Sequence, residues 1–253
     1  FTTAGDVDFL VDFSPVTGEV HLAATPDDIT LEQAFGRYSF NQDFNLSFGR
    51  QLTNLGFDAD EAPGLYAVTP AYFGLGGATR YDYVDGLRAI FNNGQFGLSF
   101  GVHDDYFGPA DHFNDNIAID LAASVMIVPG LEARLGYAHQ DMDSDDISRF
   151  NTWIAYNPGD LTLALEFDVF NIQDNDLWDI MLLANYQFVD WFGATFRYSH
   201  EDFDNGTDHE ADRFTLALLF TLTDNLFLNF EFSHTELDSD DVEEVYLEGL
   251  LTF

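Results

Sequence analysis

Arg88, Arg134, Arg197 and Arg213 stand at alternate positions of apolar–polar segments, on the same parity as Asp82, Asp120, Glu132, Glu166, Asp168 and Glu231. Asp8, Asp12, Asp179, Glu244 and Glu248 share that parity, so eleven carboxylates face four arginines. Fixed charges on one wall do ion chemistry without a covalent step. They enrich the opposite sign and exclude their own. The acid excess cannot all be paired, so this wall is expected to gather cations. For the arginines, pairing across neighbouring strands and a transport role are both open.

Other groupings are weaker. "DMDSDD" (141–146) sets carboxylates at the first, third and fifth places of a calcium loop, but Asp146 stands where glycine is needed and Thr152 where the bidentate Glu belongs. No EF-hand is expected. At most, Ca²⁺ or Mg²⁺ binds loosely here and at "DSDDVEE" (238–244), and no cofactor is expected. A hydrolase would need His beside Ser or Asp at an accessible rim. Ser199–His200 and Ser233–His234 are sequence neighbours that point to opposite faces of a strand. His103 with Asp104 and Asp105, or His209 with Asp208 and Glu210, are the remaining Asp–His groupings. The expectation is that the chain is not an enzyme.

The elements that hold these charges alternate with period 2. In "LTLALEFDV" (161–169), Leu161, Leu163, Leu165, Phe167 and Val169 oppose Thr162, Ala164, Glu166 and Asp168, which is a strand pattern and a poor helix. Fourteen such segments occur, at about 6–13, 29–38, 43–52, 80–91, 95–104, 116–128, 131–140, 148–157, 160–170, 177–188, 190–200, 212–223, 225–236 and 243–253. Most are of the length that a tilted strand needs to cross a bilayer. Tight turns such as "NNG" (92–94) and "VPG" (128–130) alternate with longer acidic loops. The expected fold is all-β: one transmembrane antiparallel up-and-down β-barrel over 1–253, with about 14 strands (12 or 16 also open) and both ends on the short-turn side. "VTGEVHLAA" (16–24) is either a further strand or a loop.

Composition agrees with this reading. Of 253 residues, 45 are acidic and eight basic, giving a formal charge of −37, while 46% are hydrophobic and 27 are Phe. Such a surface repels nucleic acid, and so aromatic a chain is not a disordered acidic tail. Cysteine is absent, which removes disulfides and thiolate metal sites. No signal peptide and no membrane-helix run is visible. Aromatics gather near the strand ends: Phe91, Phe96, Tyr156, Phe188, Trp191 and Phe192 by short turns, Tyr81, Tyr83 and Tyr137 toward long loops. Two such girdles suit the two membrane interfaces. A soluble sandwich would have shorter strands and no girdle. The final strand "VYLEGLLTF" sets Val245, Leu247, Gly249, Leu251 and Phe253 on one oily face. Leu247, Gly249, Leu251 and Phe253 resemble the assembly signal read by the barrel-assembly machinery.

The segments 31–73 and 81–107 resemble the OmpL-like β-barrel porin family. Gly49-Arg50, Gly56 with Asp58, and Gly86-Leu87-Arg88 carry the resemblance. It implies a diffusion porin in the outer membrane of a Gram-negative bacterium, with no catalytic residues. Its expected partners are outer-membrane lipid, small hydrophilic solutes and cations; a homo-oligomer is open, since trimers are common among porins. The loop 53–79 is by far the longest, and loops of this length are as a rule either functional or disordered. Either it folds into the lumen as a constriction, with Asp58, Asp60 and Glu61 opposing Arg88 and Arg134, or it is an external flap. A barrel that holds a partner protein is the alternative to a channel.

Overall fold

A computed structural model describes residues 5–58, 66–75, 83–107, 117–141, 146–172 and 175–252, apart from the side chains of Asp6 and Asp208. Among these residues every regular element is a strand. In chain order they are β1 (Gly5–Asp12), β2 (Val16–Ala24), β3 (Ile29–Ser39), β4 (Phe44–Leu52), β5 (Tyr83–Asn92), β6 (Phe96–His103), β7 (Ala118–Val128) and β8 (Leu131–Gln140). There follow β9 (Ile147–Tyr156), β10 (Leu161–Ile172), β11 (Asn175–Val189), β12 (Phe192–Asp204), β13 (Asp208–Thr223), β14 (Leu226–Leu237) and β15 (Asp241–Leu251). Sheet order follows chain order throughout. No described helix is long and apolar enough to cross a membrane, a test that does not bear on crossing by strands.

All fourteen segments expected from alternation are strands, and "VTGEVHLAA" supplies a fifteenth, β2. Its register against β3 shifts at Glu32 of β3, which is skipped between the pairs His21–Gln33 and Leu22–Leu31, while its pairing with β1 is unbroken. The extra strand reverses the start of the ladder. β1 runs toward the tight turn at 13–15, which puts Gly5 at the long-loop end and corrects the expectation that both chain ends lie on the short-turn side.

Contacts gather the chain into two units. The first comprises the described residues of 1–55, 78–125 and 136–148; the second, those of 56–77, 126–135 and 149–253. In the second unit, burial is the reverse of a soluble sheet. Glu166 is 1% exposed and Glu231 0%, whereas Leu165 is 40% and Leu247 67% exposed. Thr195, Arg197, Ser199, Glu201, Arg213 and Thr215 are buried; Leu163, Leu182, Phe196, Leu216, Phe230 and Phe232 are exposed. In the first unit, Ser47, Gln51, Arg88, His103 and Asp120 are buried while Phe48, Leu87, Leu98, Phe100 and Leu121 are exposed. Alternation puts every second side chain on one face. An apolar exposed face of this extent is a surface meant for hydrocarbon, not water.

Aromatic rings bound that apolar band in the second unit. At the short-turn end Tyr186, Phe188, Trp191, Phe192 and Phe220 form a contiguous cluster; at the other end Trp178 lies against Phe167 and His200. From Trp178 to Phe188 along β11, a rise of about 3.3 Å per residue and a tilt of about 40° give roughly 25 Å, the height of an outer-membrane apolar band.

Glycines are placed where the backbone needs them. Gly130 closes the two-residue β7–β8 turn at φ 83°, a conformation open to few other residues. On the buried face of β6, a Cβ at Gly101 would overlap the Asp120 carboxylate and the His103 ring, which occupy the space it leaves. Gly101→Val is therefore expected to destabilise the fold by about 1–3 kcal/mol, read as a lowered midpoint in denaturant unfolding of the detergent-solubilised protein.

Candidate functional site

The buried polar face is the candidate site, and in each unit a loop segment lies on it. In the first unit Arg88 donates to the Leu52 carbonyl (2.8 Å) and approaches Asp120 at 3.4 Å, while Asp120 also holds His103. Asn54 donates to Ser99 (2.7 Å), and Leu55 packs into the space beside Gly136. The Gln140 side-chain carbonyl accepts the N–H groups of Tyr106 and Phe107 at 2.9 and 2.8 Å. His103 is fully buried. His209 bonds Asp238 at 2.9 Å. The Glu210 N–H and the His209 ring hold the Asp238 carboxyl below its ordinary range.

In the second unit the segment 66–75 and the stretch 56–58 are bound by the strand side chains themselves. Arg197 of β12 donates to Asp58 (2.6 Å) and to the carbonyls of Thr69 (2.9 Å) and Pro70 (2.8 Å). Glu231 accepts the N–H groups of Val68 and Thr69 at 2.5 and 3.1 Å, together with the Thr69 hydroxyl. Glu201 accepts the N–H groups of Phe73, Gly74 (3.0 Å) and Leu75 (2.8 Å). Ser199 donates to the Ala71 carbonyl. Glu166 takes the Phe57 N–H at 3.0 Å and Asn151 the Gly56 N–H at 3.2 Å. Arg149 donates to Asp168 at 2.6 Å. Arg213 pairs with Glu244 at 3.0 Å and donates to Thr69 at 3.1 Å. Beneath this lattice Ala71 and Tyr72 pack on Ala155, Ala164, Met181 and Leu183, flanked by Phe57, Tyr66 and Trp153. Loop backbone groups that a buried strand wall could not otherwise satisfy are met by charged side chains.

Of the residues expected on the charged wall, Arg88, Asp120, Glu166, Asp168, Arg197, Arg213 and Glu231 are all buried on it, and Glu132 and Arg134 are half-buried. Most do not face open space: they hold loop segments or one another. Asp58 is bonded by Arg197, a partner that alternation along the strands does not name. Arg88 is engaged by Leu52 and Asp120. Burial pushes the Asp58 carboxyl above its ordinary range, and Arg197 pulls only part of the way back. Asp60, Glu61, Asp82 and Phe253 lie outside the described residues. Val245, Leu247, Gly249 and Leu251 share the exposed face of β15, as expected. His139, Asp141 and Asp146 bring three ligand atoms within 4.8 Å of one another, an exposed group at the ends of the 141–146 loop.

Three residues central to this lattice were not among the expected sites. Glu201 falls in what reads as a loop, but β12 continues to Asp204. Arg149 and Asn151 share a parity opposite Phe150, Ile154 and Tyr156, and that alternation was the available signal. Outside this face, Arg50, of the Gly49-Arg50 pair, bonds Asp85 at 2.7 Å and lies over the Tyr83 ring.

Three solved structures show where this fold recurs. A Salmonella typhi OmpF in complex with daunomycin matches with a TM-score of 0.76 and 12% identity, covering 98% of this chain and 91% of that one. In-vitro folded OmpT, an outer-membrane protein of Vibrio cholerae, in its trimer form, matches at 0.66 and 14% identity, covering 99% and 87%. An anion-selective porin from Comamonas acidovorans matches at 0.64 and 16% identity, covering 99% and 85%. The fold is that of outer-membrane β-barrels. No family model and no curated protein matches the chain, so the OmpL-like resemblance is not confirmed.

Proposed function

We propose that the chain is a passive channel of a Gram-negative outer membrane, admitting small hydrophilic solutes with a preference for cations. It performs no catalysis and needs no cofactor. The observation that carries this reading is the inverted burial: a charged, hydrogen-bonding face opposite an apolar exposed one, on strands long enough to cross a bilayer. The loop 53–79 acts as the constriction, supported by the bonds that fasten its described parts to the polar wall. The sign of selectivity follows from residues rather than fold, since one protein of this fold, from Comamonas acidovorans, is an anion-selective porin. Among the described residues, Arg50, Arg88, Arg149, Arg197 and Arg213 are paired with carboxylates. The positive charge is largely spent, and the acid excess remains for mobile cations. Loose divalent binding by the acidic loops accompanies this without being required. The OmpT trimer form makes a homo-oligomer part of the reading, and the barrel-assembly machinery its route of insertion.

The test is conductance. Purified protein added alone to a planar bilayer is expected to give discrete open steps, and addition of Ca²⁺ chelator leaves them unchanged. Absence of steps from protein that is folded by circular dichroism would favour the partner-holding barrel.

A further inference from the structure

Within the second unit a cavity of about 190 Å³ opens on the polar face, walled by Phe57, Tyr66, Trp153, Glu132, Asn157 and Thr162. Its three aromatic side chains come from two places. Phe57 and Tyr66, from the loop, are stacked with ring centroids 5.8 Å apart and planes 8° from parallel. Trp153 of β9 meets Phe57 edge-on at 5.4 Å. The Trp153 indole N–H is buried and finds no hydrogen-bond partner among the described residues. Among the described residues, one carboxylate, Glu132, and no basic side chain lines the cavity.

We infer that this cavity is a binding site for a small organic cation, a quaternary ammonium head of choline's size carrying a hydroxyl. Ring faces attract such a cation within about 6 Å, more strongly the less water shares the site. Glu132 supplies a counter-charge that a hydrated metal ion could also use, but the aromatic walls favour methylated nitrogen over water-bound metal. The Trp153 N–H supplies a donor for the hydroxyl oxygen, a role its burial otherwise leaves unfilled. Because the cavity lies on the polar face, opposite the apolar exposed one, the guest is a free solute and not a lipid headgroup. The inference does not rest on passive conduction: an equilibrium site can exist whether or not the protein conducts.

The experiment is calorimetric titration of the detergent-solubilised full chain with choline and with its uncharged isostere 3,3-dimethylbutanol, in 0.15 M NaCl. Choline is expected to bind at one site at least tenfold more tightly than the isostere. Trp153→Leu and Glu132→Gln should each weaken choline at least fivefold, with strand content by circular dichroism unchanged for Glu132→Gln. Equal binding of the isostere would overturn the inference, leaving only an apolar recess. So would choline binding unaffected by Glu132→Gln, which would place it on the general acidic surface.

Discussion

Arg197→Met is expected to release the 66–75 segment from the strand wall, with the largest effect of any single substitution in the protein. It removes the bonds to Asp58 and to the Thr69 and Pro70 carbonyls together, leaving a buried carboxylate and two carbonyls without their donor. Breaking one partner of such a buried pair costs about 3–5 kcal/mol. The measurable outcome is faster protease cleavage within 53–79 while the strands stay intact, together with a larger single-channel conductance. Asp58→Asn separates the charge from the tether. Burial raises the folded-state pKa of Asp58, so folding favours its neutral form. The penalty for the charged form is present above that pKa and is relieved as pH falls through it toward the ordinary carboxylate value. The asparagine variant, neutral at every pH, is accordingly expected to keep its loop bound and to lose about 1 kcal/mol at most, with the variant's loop no more open at pH 7 than at pH 5. A loop equally protease-sensitive in both variants would mean that Arg197 acts only through Asp58.

The wall was legible because its rule is local. Alternation alone places Glu166 and Asp168 on one face of β10 and Leu163 and Leu165 on the other, and the last strand reads the same way from Val245 to Leu251. The partners of the wall charges were not legible, because the loop supplies them from far along the chain: Asp58 and Arg197 are 139 residues apart and Thr69 and Glu231 are 162 apart. No periodicity encodes such a meeting. It follows from a loop whose N–H and carbonyl groups must be satisfied once it lies on a buried face. The same demand recasts the carboxylates themselves. Glu201 and Glu231, read as acid excess or as loop, each accept several loop N–H groups, so part of the negative wall is engaged in holding the loop. β2 stays open between strand and loop in the sequence for a different reason: its apolar parity includes Gly18 and Ala24, which weakens the contrast with Thr17, Glu19 and His21.

The acid excess that remains decides the second large effect, the sign of ion selectivity. With a Debye length of about 8 Å at roughly 0.15 M salt and about 3 Å at 1 M, wall charge reaches across a narrowed passage in dilute salt and much less so in concentrated salt. The direct measurement is the reversal potential of single channels in a KCl gradient, at two mean concentrations and with the same protein. A cation-preferring channel gives a potential of the sign set by K⁺ flow, large in dilute salt and shrinking as salt rises. A potential near zero in dilute salt, or one of the sign set by Cl⁻, would contradict it.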